Sequence, residues 1–361
     1  MSQIANRNNL DLKWLPDNLA HQVNAAVNDT ISYLLKLNLK TKAIVLGGGW
    51  KNQEITLDDQ KIKTDIDITI FSDFLPLALK QIEHIEEKVR DTHNINIDIH
   101  GVIPRLLGKS KTFWAYKLKS EGIVLSGDTD ILKRIQAQSD DLPRTEALRI
   151  LFETLVNRLM FMNNLTLLKY ENYYRIAKSY MYFGEAILAL KSALAPTYAA
   201  RRNNFRKISK QLDINPEISK KIFAGYDIKL DYSKIYTQTI NWDLATARRD
   251  CLYLIRWFLQ SISKQDDENT ALNMVFKQAK PRQLFNIILW YRLRKTNLHP
   301  KLSLINNFTV ADLYKIVFYH ETDEKQKYDI ISKRFFTDTI DDKNLVRLFK
   351  AWPIPITLEI I

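Results

Sequence analysis

Ile44-Val45-Leu46-Gly47-Gly48-Gly49-Trp50 and, after a polar stretch, Lys63-Thr64-Asp65-Ile66-Asp67-Ile68-Thr69-Ile70 decide how this chain is read. An apolar run of buried-strand character stops at three glycines. The next strand pattern carries Asp65 and Asp67, and a separation of two puts both carboxylates on one face. Ile95-Asn96-Ile97-Asp98-Ile99 repeats the alternation and adds a third acid. Three acids on neighbouring strands beside a glycine turn have the chemistry to hold a hard divalent metal next to a phosphate chain. Gly47, Gly48 and Gly49 let backbone N–H groups approach phosphate oxygens with no Cβ in the way. A helix starting at or after Trp50 is expected to add its positive end to that seat.

Outward from this stretch, strands and helices alternate. Asp17 reads as the cap of a helix through Leu19, Val23, Val27, Ile31 and Leu35, ahead of a strand over 43–46. Residues 50–63 leave room for a short helix and a loop before a strand over 65–71. A helix is expected over 76–90, then strands over 95–103 and 122–127. Past Pro143 the pattern turns helical, with apolar residues three or four apart in 144–166, 169–194, 243–263, 281–294, 310–319 and 343–350. The polar run from Gln136 to Pro143 reads as a linker. The expected architecture is α+β: a mixed sheet with flanking helices over 1–140, then an all-helical domain over 141–361.

Composition supports a folded, two-part chain. Its 361 residues, 46% hydrophobic and 11% aromatic, are enough for more than one core and argue against disorder. The net charge of +12 is uneven: residues 1–150 hold 20 Lys+Arg against 20 Asp+Glu, so the whole excess falls in 151–361. The polar start, Met1 to Asn9, lacks the apolar segment of a secretory leader, and no apolar run approaches the roughly 20 residues a membrane span requires. One cysteine, Cys251, excludes an intrachain disulfide. Cytoplasmic is the expected location, with no membrane partner.

Leu46-Gly47-Gly48, Asp65-Ile66-Asp67 and Ile97-Asp98-Ile99 together resemble the signature of the DNA polymerase beta-like nucleotidyltransferase superfamily. The likeness covers roughly residues 40–130. Gly122-Ile-Val-Leu-Ser-Gly127-Asp128 resembles a segment that follows the third acid in the antibiotic-type members. Gly48 stands where many active members have serine, and the gap before Asp65 is longer than usual. The resemblance implies a metal-dependent transfer of a nucleoside monophosphate from ATP or another nucleoside triphosphate to an acceptor hydroxyl. Asp65, Asp67 and Asp98 would hold Mg²⁺ or Mn²⁺ and carry the catalysis, and the glycines would seat the phosphates. The helical half would bind substrate, with Lys178 reaching the triphosphate from a tyrosine-rich helix.

The acceptor stays open between RNA, a small aminoglycoside-type molecule and a protein side chain. A non-catalytic nucleotide-binding module, of regulatory or toxin–antitoxin type, is the rival. The basic clusters Arg201-Arg202-Asn-Asn-Phe-Arg206-Lys207 and Arg292-Leu-Arg294-Lys295, with aromatic neighbours, point to RNA. His100 shares the strand face of Asp98 but reads more simply as a structural histidine. Asp58 and Asp59 take no role.

Overall fold

The computed structural model describes residues 10–37, 39–58, 61–73, 79–276 and 310–323, with Lys327, Ile331, Asp341, Asn344 and Leu348. A four-stranded mixed sheet is built from β1 (Ala43–Leu46), β4 (Ile66–Phe71), β5 (Ile97–Val102) and β6 (Ile123–Gly127), in the order β5-β4-β1-β6. β1 lies antiparallel to β4 and to β6, while β4 and β5 are parallel. Between β1 and β4 sits a short hairpin of β2 (Leu57–Asp58) and β3 (Lys61–Ile62).

Strand alternation assigns each face of the sheet its cover. Ile44, Leu46, Ile66, Ile68, Ile70, Ile97 and Ile99 pack with Val23, Val27 and Leu34 of α1 (Asp17–Lys36) and Ile82, Ile85 and Val89 of α2 (Leu79–His93). The residues between them, Val45, Phe71 and Val102, belong to a second core on the opposite face. That core takes in Phe113 and Leu118 of α4 (Phe113–Glu121), and Leu148, Leu151 and Phe152 of α5 (Arg144–Thr154). It continues without a break into the helical half. The change of sequence pattern near residue 140 is real, but the core runs across it.

After α5 the chain winds through a π-helical turn, Leu155–Met160, and a 3₁₀ turn, Phe161–Asn164. There follow α6 (Lys169–Leu190), α7 (Tyr198–Ser209), α8 (Pro216–Leu230), α9 (Lys234–Thr237), α10 (Leu244–Ser263), α11 (Glu268–Phe276) and α12 (Val310–Thr322), while α3 (Pro104–Leu107) lies in the front half. Local sequence sets several starts. The Thr197 and Asp243 side chains accept from Ala200 N and Thr246 N, and Pro216 occupies the first turn of α8 behind an Asn215 cap. The helix expected over 281–294 lies outside the described residues, as does 343–350 apart from Asn344 and Leu348. Among the described residues, no helix is long and apolar enough to cross a membrane.

No helix follows the glycines. Only a 3₁₀ turn, Gly48–Trp50, forms there, because Gly49 O accepts the Glu54 N–H at 2.9 Å and turns the chain back towards the hairpin. The Glu54 carboxylate then accepts Tyr198 N at 2.6 Å and Ala199 N at 2.9 Å, tying the glycine loop to the first turn of α7. A second tie is ionic: fully buried Arg201 lies between Glu121 and Glu185, 2.7 Å from the latter. A third joins Phe113 N to Glu146 Oε2 at 2.7 Å. These ties fix the helical half over the strand ends that carry the acids.

Candidate active site

The acids lie on the sheet face turned towards the helices. Asp67 and Thr69 alternate with the three isoleucines of β4 that face α1 and α2, and the parallel register sets Asp67 beside Asp98 and Thr69 beside His100. One ligand atom from each of Asp67, Asp98 and His100 falls within 4.8 Å of the others. His100, read from sequence as structural, thus joins the two acids in a group that could hold a metal ion. Asp65 is not: it precedes β4, and its Oδ2 lies 3.9 Å from Lys178 Nζ. Burial pushes the Asp67 carboxyl up, as does Asp65, while His100, Lys178 and Lys117 pull it down. A half-buried carboxylate held among cations and a second acid is a group that gains from a cation.

The three glycines do different work. Gly47 gives its N–H to Asp67 O at 2.7 Å and so closes the β1–β4 ladder. Gly48 has φ +75°, and a Cβ there would stand 3.0 Å from Asp67 Oδ2. Serine at this position would meet both the backbone and the acid, which accounts for glycine. Gly49 points away from the site, since a Cβ on it would fall 2.4 Å from Glu54 O. Gly47 and Gly48 line the cleft; Gly49 serves the fold of the loop.

That cleft, of about 440 Å³, runs between the acids and the helices. Its far wall is Trp114 and Lys117 of α4, Arg149 and Glu153 of α5, Asn157 and Arg158 of the π-helical turn, and Tyr182 of α6. Lys117 Nζ bonds Tyr198 OH at 3.1 Å and sits 5.8 Å from the Tyr182 ring centre. Burial opposes its charge, yet Tyr198, Glu185 and Glu121 hold its pKa well above the ordinary value. The Arg158 guanidinium lies 4.2 Å from the centre of the same Tyr182 ring. Lys178 also stays charged: burial and Arg158 work against it, and Tyr174, Tyr182 and Asp65 prevail. Behind them, buried Lys229 donates to Thr56 Oγ1 and Thr64 Oγ1, both at 3.2 Å. Burial, Lys178 and Lys117 bring its pKa down to about 7.

Trp114, Lys117, Glu153, Asn157, Arg158 and Lys229 were not singled out by the sequence. They come from four helical segments distant in the chain, and no spacing rule links them to Asp67. The basic cluster of α7 is a correction of the opposite kind. Arg201, expected on an exposed basic face, is fully buried in its ion triad, and Arg202 Nε pairs with Asp227 at 2.6 Å. The second cluster, Arg292 to Lys295, lies outside the described residues. Compared with known families and with curated proteins, the chain matches no family model and no curated relative.

Proposed function

We propose that this chain is a metal-dependent nucleotidyltransferase, which moves a nucleoside monophosphate from ATP or another nucleoside triphosphate to an acceptor hydroxyl. The convergence of Asp67, Asp98 and His100 within 4.8 Å, in a cleft also lined by Gly48, Lys117 and Arg158, carries this reading. The sheet of this reading is of nucleotidyltransferase type, with the acids on two parallel neighbours. Two carboxylates and an imidazole suit a divalent cation, and the imidazole tilts the donor set towards Mn²⁺ relative to an all-oxygen site. When bound, Mg²⁺ or Mn²⁺ makes the acceptor hydroxyl more acidic and offsets charge on the transferred phosphate.

The remaining work falls to side chains. Lys117 and Arg158 receive the β- and γ-phosphates beside the Gly48 backbone, in place of the helix end expected at Trp50. Lys178 orients Asp65 at the edge of the cleft. Tyr182, flanked by both cations, offers its ring to the base. In the transfer, the acceptor oxygen bonds to the α-phosphorus as the bond from that phosphorus to the α–β bridging oxygen breaks. Pyrophosphate departs and the hydroxyl proton passes to water.

Pyrophosphate release from ATP in the presence of hydroxyl-bearing acceptors, measured against added MgCl₂ and MnCl₂, tests the reading. Release is expected to require the divalent cation and to vanish in Asp67→Asn and Asp98→Asn, with both variants still folded. Release that persists in chelator, or in either variant, would sink it.

A further inference from the structure

Thr56 and Thr64 flank the β2–β3 hairpin, between the glycine loop and Asp65, and meet across its base: Thr64 Oγ1 accepts the Thr56 N–H at 2.8 Å. One side chain of the helical half reaches into this base. Lys229, in the last turn of α8, donates from Nζ to both threonine hydroxyl oxygens at 3.2 Å. The Thr56 hydroxyl gives its own proton to Lys229 O at 3.0 Å and accepts from Tyr174 OH at 3.2 Å. Towards Nζ it is therefore an acceptor only.

A count of partners shows which form of the amine fits. A neutral amine carries two N–H donors, and two oxygens answer them. An ammonium carries three. Among the described residues the third finds no oxygen. The Tyr198 ring centre lies 5.0 Å from Nζ, but that ring already faces Lys117 at 5.2 Å and Arg201 at 4.9 Å.

The surrounding charges act in the same direction. Lys178 on α6 and Lys117 on α4 oppose a further positive charge, while Asp67 on β4 and Glu121 on α4 favour one. Glu121 is engaged by Arg201, and Asp58 of the hairpin by Lys63 at 3.3 Å. Burial and the two lysines prevail, so the amine is mostly neutral once the pH exceeds about 7. A polyanion reverses this balance. A nucleoside triphosphate beside Gly48, Lys117 and Arg158 offsets the charge of the lysines that repel the proton, and it keeps net negative charge with its divalent cation bound.

Building on the nucleotidyl-transfer reading, we propose that Lys229 is a latent third cation of the triphosphate seat, neutral in the free protein and protonated as the nucleotide binds. The proton comes from solvent and settles on the Nζ lone pair. Lys229 does not touch the phosphates; it is a positioning residue that acts through the charge behind Lys117 and Lys178. Nucleotide affinity thereby becomes dependent on pH in the range just above neutrality.

Calorimetric titration tests this directly. The full chain is titrated at pH 8, in excess Mg²⁺, with the α,β-methylene analogue of ATP, whose α–β bond is not cleaved. Comparing Hepes with Tris, which differ in ionisation enthalpy, should show uptake of about half a proton or more per nucleotide bound. Kd should rise roughly threefold or more between pH 7.5 and 8.5. Lys229→Met, checked as folded by thermal melting, should abolish the uptake and flatten the pH dependence. A ¹³C spectrum of lysine Cε in the wild type reads the amine without a variant: one resonance should titrate near neutrality and move to higher pH when the analogue binds. Binding without proton uptake, uptake undiminished in Lys229→Met, or lysine resonances that all titrate above about pH 9 in the free protein would overturn the role of Lys229 and leave nucleotidyl transfer standing. Absence of analogue binding at every pH would overturn both.

Discussion

At Gly48 a single backbone angle decides what the site can hold. With φ at +75° and Asp67 Oδ2 standing 3.0 Å from where a Cβ would be, any side chain strains the turn and crowds the acid. Gly48→Ala should lower stability by about 1–2 kcal/mol and weaken ATP binding at the same time. Thermal melting and equilibrium ATP titration check both effects; unaltered ATP affinity would place the phosphates elsewhere. Asp67 makes a different prediction, because its pKa is raised by burial. Such a group destabilises the fold above its folded-state pKa, where it is ionised in a desolvated place, and has no effect below the unfolded carboxyl range, where it is protonated in both states. In chelator, Asp67→Asn should therefore raise Tm at pH 7, with the gain disappearing as the pH falls into the acid range. With Mn²⁺ present the order should reverse, since only the wild type gains from the cation.

The elements that carry the site were legible to different degrees, and the reasons are physical. Asp67 and Asp98 could be read because they lie on strands that alternate, and Gly47 and Gly48 because they end the apolar run of β1; both signals survive in one sequence. α6 and α10 showed a helical stripe for the same reason. α4 did not: Phe113, Ala115, Tyr116 and Leu118 are buried around its circumference, so no polar face marks the period. α7 reads as a basic surface cluster because a buried arginine looks like an exposed one until its acids are placed beside it. Lys229 on α8 was equally hidden, and it makes the prediction of this scale. Its pKa near 7 lies below that of an unfolded lysine. At pH values under about 7 it is charged in both states and the folded protein bears the full desolvation penalty. Stability gained from losing that proton rises through the interval up to the ordinary lysine pKa, where the unfolded chain still binds more protons. Lys229→Met should thus raise Tm at pH 6 by more than at pH 10, and a Tm difference that is the same at both would show the amine is not desolvated.

On the scale of the whole molecule, the chain resolves into a sheet with two covers, α1 and α2 on one side and the helical half on the other. The acids face the second cover, so the cleft exists only because the two halves share a core. Among the described residues, part of the positive excess of 151–361 is spent internally, on Arg201 and Arg202, and part turns towards the acids, as Arg158 in the cleft lining and Lys178 beside Asp65. Which bond of ATP breaks is the measurement closest to the central claim. ATP labelled at the α- or γ-phosphate, incubated with the protein, Mn²⁺ and a panel of hydroxyl-bearing acceptors, should yield γ-label as pyrophosphate and α-label joined to an acceptor, both lost in Asp98→Asn. Recovery of γ-label as inorganic phosphate, or of intact ATP bound without turnover, would contradict the account.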